Sequence, residues 1–579
     1  MLVLFSNTGP IDRKSIAGVE QRPLAGQCMT IDAPIATEEA THEDRPTRPH
    51  NAPQAILAWA DRWRWWLLAT VLISYLAAFN GQFRLSGDAA TYVNVAQAMN
   101  NSSSFAGHGQ RPHFYPGLPY LLSYTFQLFG TDSLVPPHLL VLTMALASLG
   151  MVYWLLYLHA GRAAAVLVTC MVGINASIHE HAYRLLSDLP FLLGVLIFLV
   201  GYEGARLEPN RPNVRNADDK IKSRVELIWL YVLLMIVGLG LAVSMRRAMW
   251  VLVGAVVLTI FWFFFNRHQG ARRGSLILLA GGALLMVLLF SLVDPRQRSH
   301  SDFWLAKTRY SLPTMVSGIL TQSVPKLLEE TVVETAFASE VGAGLDSVLA
   351  ILLIGSAIFL VRRRVLWGLL VMLWVIASLL HVPLARYLLP IIPLLAYGWW
   401  LIAQWISSRL KPPWDRMLCV AMVLLWLLPN TIGVVDMVFE QRHVPFLQNY
   451  KQGKYVYLKE LGRQLAQLAD DRLLILSDDP SELRYYCGHA VLGARWLRNW
   501  NQQGRMEARK QIRLAHKNSA LYVVQPMSEN LSKWMKKLRL KLPGNPLFVI
   551  DRAPGQLPLT VYRAIRQPKP PVHTGETAD

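Results

Sequence analysis

Two acidic residues and three arginines stand where apolar runs of this sequence begin or end. They are Asp88 in Gly87-Asp-Ala-Ala-Thr-Tyr92, Asp188 in Ser187-Asp-Leu-Pro190, the pair Arg246-Arg247, and Arg386 in Arg386-Tyr387-Leu-Leu-Pro390. A carboxylate held where water meets hydrocarbon is partly desolvated and can accept a proton from a hydroxyl or amine nucleophile. An arginine in the same place is costly to leave unpaired, and an anionic phosphate would satisfy it through forked, charge-assisted hydrogen bonds. Each position also has a bland reading. Gly-Asp before Ala-Ala-Thr-Tyr is a good helix N-cap, Ser-Asp-Leu-Pro marks a helix start, and an arginine at a span end can snorkel to lipid headgroups.

Further polar groups lie near these. Arg111-Pro-His113-Phe-Tyr115-Pro-Gly-Leu-Pro119 carries three prolines and one glycine, which stop regular structure and pin its aromatics and His113 near a surface. An interfacial aromatic belt accounts for the tyrosines without any function; Arg111 and His113 call for more. The segment His179-Glu-His181-Ala-Tyr-Arg184 precedes Asp188. Its histidines are two apart, not the i, i+4 spacing of a helical zinc pair, so no metal site is expected. The four cysteines, Cys28, Cys170, Cys419 and Cys487, are too scattered for a disulfide framework or a metal cluster.

The elements that must position these groups are membrane spans. Apolar runs recur from Trp65 to Asp436, most of them reaching the roughly 17 to 25 residues that cross a bilayer. About eleven spans are expected, at 65–83, 137–158, 163–177, 189–203, 226–243, 249–265, 275–293, 347–361, 365–380, 387–407 and 417–435. With the N-terminus inside, the cytoplasmic links hold eighteen basic residues, among them Arg162, Arg206 and Arg362 to Arg364. The short links of the opposite face hold six, Arg84, Arg111, Arg184, Arg246, Arg247 and Arg386, with five more in the long loop from Asp294 to Asp346. The positive-inside rule then puts external loops at 84–136 and 294–346, and everything after Glu440 outside the cytoplasm. Within the first loop Tyr92, Val95, Ala96 and Met99 recur at i, i+3, i+4 and i+7, which predicts a short amphipathic helix with its apolar stripe dipped into the membrane interface.

Three domains follow: a polar, disordered cytoplasmic leader at 1–60, a transmembrane body at 61–439, and a small extracytoplasmic α/β domain at 440–579. No basic start and apolar h-region mark a cleavable signal peptide, so Trp65 to Phe79 reads as an uncleaved anchor. The α/β domain has strand-like runs at Leu473–Leu476, Leu521–Val524, Leu547–Ile550 and Leu559–Tyr562, and a helix-like stretch at Ser528–Leu540. Its 23 Lys plus Arg against 12 Asp plus Glu suit anionic headgroups or an acidic acceptor, as well as an ordinary basic face.

Composition agrees with a membrane setting. Of the 579 residues 53% are hydrophobic and only 16% charged, more apolar than one soluble core would use. The net charge of +19 sits mostly in short links between apolar runs, a pattern of orientation and not of nucleic-acid binding.

In order along the chain, Asp88 with Tyr92, Pro116-Gly-Leu-Pro119 leading to Phe126-Gln-Leu-Phe-Gly130, Ser187-Asp-Leu-Pro, and Arg386-Tyr-Leu-Leu-Pro-Ile-Ile-Pro393 resemble the GT-C glycosyltransferases of the protein O-mannosyltransferase and aminoarabinose-transferase group, family 39. The likeness runs from about residue 65 to 400. It implies an inverting transfer of a sugar from a polyprenyl-phosphate donor to a protein, lipid or glycan acceptor outside the cytoplasm. It implies Asp88 as base and Asp188 as a second acidic position. The family usually has an acidic residue after the first aspartate, where this chain has Ala89, and many members carry Lys before Pro-Pro where this chain has Tyr115-Pro-Gly.

Donor phosphate binding is therefore expected to fall on Arg246, Arg247 and Arg386. Tyr92, Arg111, His113, Tyr115, His179, His181, Arg184 and Tyr387 are the further candidates for substrate contact. No redox or organic cofactor is called for, and a divalent ion is left open. The default setting is a bacterial inner membrane with the site facing the periplasm. A transporter or lipid flippase would show repeated halves and polar mid-membrane spans, which are not evident here. A non-catalytic envelope-assembly protein would depend on the basic tail and not on Asp88.

Overall fold

The computed structural model describes residues 52–80, 86–102, 115–131, 133–207, 217–246, 248–265, 323–327, 331–337, 343–380, 385–443, 454–467, 474–477, 480–487, 490–492, 521–525, 540–542, 545–550 and 558–566, with a few isolated positions besides. The expected span 275–293 and most of the leader lie outside them.

The fold is mostly helical. In chain order come α1 (Ala52–Arg62), α2 (Arg64–Ala78), α3 (Gly87–Ser102), α4 (Gly117–Phe129), α5 (Val135–Gly173), α6 (Ala176–His181), α7 (Asp188–Leu207), α8 (Ala217–Met245) and α9 (Met249–Phe265). Then follow α10 (Val332–Phe337), α11 (Ala343–Arg363), α12 (Val365–Leu380), α13 (Ala385–Leu388), α14 (Ile392–Ser407), α15 (Trp414–His443), α16 (Lys454–Ala466) and α17 (Pro480–Cys487). Among the described residues five helices are long and apolar enough to cross a membrane, on Val135–Gly173, Asp188–Leu207, Glu226–Met245, Arg386–Ser407 and Trp414–Phe439. The protein is a multi-pass membrane protein.

Each expected span except 275–293 overlaps a described helix, though only the five named have the length and apolarity of a full crossing, and two further details differ. Residues 52–60, read as leader, belong to α1, whose Ala52 and Ala60 are buried. The expected spans 137–158 and 163–177 form one element broken at Gly161, where φ is +80° and a side chain would be strained. Beside that break the Asp61 carboxylate of α1 takes both Nε and Nη2 of Arg162, at 2.6 and 2.8 Å.

Glycines allow a close approach of α7 and α8. A Cβ on Gly194 of α7 would fall 2.7 Å from the Ala242 amide nitrogen, and one on Gly201 2.6 Å from the Tyr231 carbonyl. Neither has room, so the α7 and α8 backbones touch along a small-residue seam. Gly117 is equally confined, 2.7 Å from the Ser244 carbonyl, which seats the start of α4 on the end of α8.

A piece of the expected external loop 294–346 is buried in the bundle. Phe337 of α10 packs edge-on against Trp399 and Trp426. Asn175 donates to the carbonyls of Thr335 and Ala336, and Asn430 donates to Ala336 at 2.7 Å. These amides satisfy carbonyls that would otherwise lie unpaired in an apolar interior.

After α15 the chain builds a five-stranded sheet in the order β2-β1-β3-β6-β5. The strands are β1 (Leu474–Leu476), β2 (Ala490–Leu492), β3 (Leu521–Gln525), β5 (Phe548–Ile550) and β6 (Leu559–Arg563), with β4 (Leu540–Lys541) pairing β7 (Ile565–Arg566). Pairing is parallel across β2-β1-β3 and antiparallel across β3-β6-β5. Most of the expected helix 528–540 lies outside the described residues.

Candidate functional site

Helix α3 follows the first span, and its N-terminus is capped by Ser86. The Ser86 hydroxyl accepts from the Ala89 N–H at 3.2 Å, and its carbonyl from the Ala90 N–H at 2.8 Å. Among the described contacts the cap is therefore Ser86 and not Asp88, which corrects the cap reading. The Asp88 carboxylate instead points to α13, where Oδ2 accepts from Nη1 of Arg386 at 2.5 Å. The expected burial of α3 in the membrane interface is also corrected: Ala89, Tyr92, Val93 and Ala96 face the bundle core and are buried in protein.

A second acid–arginine pair stands behind the first. Asp188 opens α7, where a negative charge favours the helix N-terminus. Arg246 follows α8, and its Nη1 lies 2.7 Å from Asp188 Oδ1. That contact is close but off the hydrogen-bond direction, since neither carboxylate oxygen of Asp188 has an aligned donor among the described residues. The glycine seam explains the meeting: α7 and α8 run antiparallel in contact, so the start of one reaches the end of the other.

Tyr387 ties the pairs together. Its ring carries the Arg246 guanidinium at 5.5 Å and that of Arg386 at 5.4 Å, cation–π distances from one ring to two charges. The carbonyl of Tyr387 accepts from the Trp374 indole, and Trp374 packs on Phe191 of α7, so α12 fixes the α13 turn. Tyr92 closes the set from α3, its hydroxyl 3.0 Å from that of Ser187, the residue before Asp188. Burial pushes the Tyr92 phenol up to about 12, against the pull of its Ser187 bond and of Arg246, so it stays protonated at neutral pH.

Exposure separates the two pairs. The side chains of Asp88 and Arg386 are 33% and 29% exposed, against 1% and 14% for Asp188 and Arg246. The outer pair can meet a ligand, while the inner one is built into the protein. Nε of Arg386 is buried and has no hydrogen-bond partner among the described residues.

The other candidates lie elsewhere or unplaced. His179 is buried against Tyr75 and Tyr183, its Nε2 3.2 Å from the Ser74 hydroxyl. His181 is buried, its Nδ1 2.8 Å from the Ser177 carbonyl. Burial lowers its pKa below the ordinary 6.5, with Asp188 and Glu180 pulling upward. Arg184 is ion-paired with Glu180 and is not brought to the acid–arginine set. Tyr115 is buried at the start of α4. Arg111, His113 and Arg247 lie outside the described residues. No group of three or more potential metal ligands gathers among the described residues.

Sequence reasoning missed Ser86, Ser187 and Trp374 as supports. It also missed a buried cluster about 22 Å along α7 from Asp188, in which Glu203 meets His159 at 3.2 Å, Arg206 at 3.3 Å and Arg364 at 3.8 Å. Ser187 was within the quoted motif, but nothing in the sequence pairs Glu203 with residues of other helices.

These helices, in this order, share their fold with solved structures of an aminoarabinose transferase and of archaeal oligosaccharyltransferases, the kind of fold that the motif resemblance led one to expect. In particular, the chain superposes on ArnT from Cupriavidus metallidurans bound to undecaprenyl phosphate with a TM-score of 0.53 at 14% identity, over 87% of this chain and 98% of that one. It is also similar to the Archaeoglobus fulgidus oligosaccharyltransferase tethered with an acceptor peptide, with a TM-score of 0.50 at 12% identity over 81% of this chain and 70% of that one. AglB from the same organism, in complex with an inhibitory peptide and a dolichol-phosphate, matches with a TM-score of 0.50 at 12% identity over 80% and 70%. No protein-family model and no curated protein matches the sequence. At these identities the shared property is the fold.

Proposed function

We propose that this protein is a membrane glycosyltransferase that moves a sugar from a polyprenyl-phosphate donor to a protein, lipid or glycan acceptor, with inversion at the anomeric carbon. The observation that carries the reading is the half-open Asp88–Arg386 pair on a fold shared with a protein crystallised with undecaprenyl phosphate. Asp88 is the base: it takes the proton of the acceptor hydroxyl or amine as that atom attacks the anomeric carbon and the bond to the lipid phosphate breaks. Arg386 is the first phosphate ligand, since the exposed part of its guanidinium can donate while Nη1 holds the carboxylate. Arg246, on the same Tyr387 ring, adds a second charge that stabilises the leaving phosphate. Asp188 holds Arg246 in place, and Arg247 is a third candidate cation.

The setting follows the charge asymmetry: about eleven spans in a bacterial inner membrane, with Asp88 and the C-terminal α/β region on the periplasmic side. A C-terminal reporter active only in the cytoplasm stays silent under this topology.

The test is incubation of the purified protein with polyprenyl-phosphate sugars, following loss of donor and the anomeric configuration of the product. Asp88→Asn should lower transfer about 100- to 10,000-fold, the usual worth of a positioned base, with membrane insertion unchanged. Full activity in that variant removes Asp88 from the chemistry, and failure of every polyprenyl-phosphate sugar removes the donor class.

A further inference from the structure

Helix α3 carries Asp88 and is gripped from two sides. Ala89, Tyr92, Val93 and Ala96 recur at i, i+3, i+4 and i+7 and pack into the bundle core. Ala90 lies about 100° around the helix from Ala89 and belongs to a different apolar cluster. That cluster also holds Leu458, Leu461 and Leu465 of α16, Ile475 of β1, and Leu483 and Cys487 of α17, and α17 packs on α3. Ala90 is 0% exposed, so a residue two positions from Asp88 completes the core of the C-terminal α/β region. Tyr485 of α17 packs against both clusters and bridges them.

The bundle face alone leaves α3 one degree of freedom. Helices held on a single stripe can rock about that stripe, and rocking would swing Asp88 relative to Arg386, which belongs to the bundle through α13. Contact on a second face removes that motion. The masses involved differ in depth: the anchor on the C-terminal side is a sheet-backed core, with α17 packed on α16 through Gly462, where a Cβ would meet the Tyr486 backbone at 3.0 Å.

We propose that the C-terminal α/β region is a positioning element of the reaction, in which Leu483 and its neighbours on α17 press on Ala90 and hold the Asp88 carboxylate at its working distance. This rests on Asp88 being the base. These residues touch neither the donor nor the acceptor. They act through α3, so their loss moves the rate of the chemical step and not donor affinity, which Arg386 and Arg246 supply.

The experiment compares full-length wild type, Leu483→Ala and Leu483→Met in the same detergent or nanodisc, by amide hydrogen exchange over 87–102 and by steady-state transfer. Leu483→Ala should raise exchange in α3, because the second face is loosened. It should lower kcat about 10- to 100-fold, as misplacement of a catalytic group near 1 Å does, with donor KM near the wild-type value. Leu483→Met, which refills the space, should restore both. If Leu483→Ala does not accumulate, Leu483→Val carries the same comparison.

Unchanged exchange in α3 overturns the proposal whatever the activity does. Raised exchange with unchanged kcat in an active enzyme overturns it too, as does a rise in donor KM with kcat intact. A wild type that transfers no sugar defeats the glycosyltransferase reading alone, and the grip on α3 is then judged by exchange.

Discussion

Removing Arg246 is the sharpest test of the inner pair. Asp188 is 1% exposed, its one close cation among the described residues is Arg246 at 2.7 Å, and neither of its oxygens has an aligned donor there. Arg246→Met keeps much of the apolar stem and removes the charge. It leaves a buried carboxylate uncompensated, which costs about 3–5 kcal/mol. Asp188→Leu added to it removes that carboxylate, and an apolar replacement of a buried pair is often neutral, so most of the loss should return. The coupling in the cycle is then at least about 2 kcal/mol, well above the roughly 0.5 kcal/mol expected of independent sites. Unfolding in mixed micelles, followed by the fluorescence of the 19 tryptophans, measures all four chains. If Arg246→Met stays within about 1 kcal/mol of the parent and the coupling is under about 0.5 kcal/mol, Asp188 has another partner and the ion-pair argument fails.

Three further outcomes follow from the same geometry. Arg386→Lys keeps the charge but loses the fork, and should raise donor KM about tenfold or more; an unchanged donor KM in the transfer assay would move phosphate binding elsewhere. His181 has a folded pKa depressed below 6.5 by burial, so its contribution to stability is present above that value and is lost as pH falls below it. His181→Asn should flatten the fall of the unfolding midpoint between about pH 6.5 and 5, and an equally steep fall in the variant would assign the slope to other groups. Gly238→Val should part α7 from α8, since a Cβ there would already lie 2.7 Å from the Gly194 carbonyl; the expected loss is about 1–3 kcal/mol, read by the same unfolding assay, together with lower transfer as Asp188 and Arg246 separate.

The membrane body was legible in the sequence because span formation is local: a run of apolar residues must satisfy its own backbone within hydrocarbon, and length and composition decide it. The β1, β3, β5 and β6 segments were legible to within a residue because short apolar runs between polar stretches mark strands, whereas the break at Gly161 was not singled out. The charged links led to the expectation that Asp88, Asp188, Arg246 and Arg386 lie together, and the structure gathers the four around Tyr387. Which acid meets which arginine was not legible. Asp88 and Arg386 are 298 residues apart, and their contact comes from how the tertiary fold seats α3 on the bundle and the α13 turn beside Trp374. The cap was misread because Ser86 and Asp88 both suit a helix start, and only the register of the first turn chooses between them. Sequence by itself determined which segments are apolar and long enough to enter hydrocarbon, since that depends on each segment's own composition. Tertiary packing decided which carboxylate stays open and which is sealed, since burial depends on neighbours that no local pattern names.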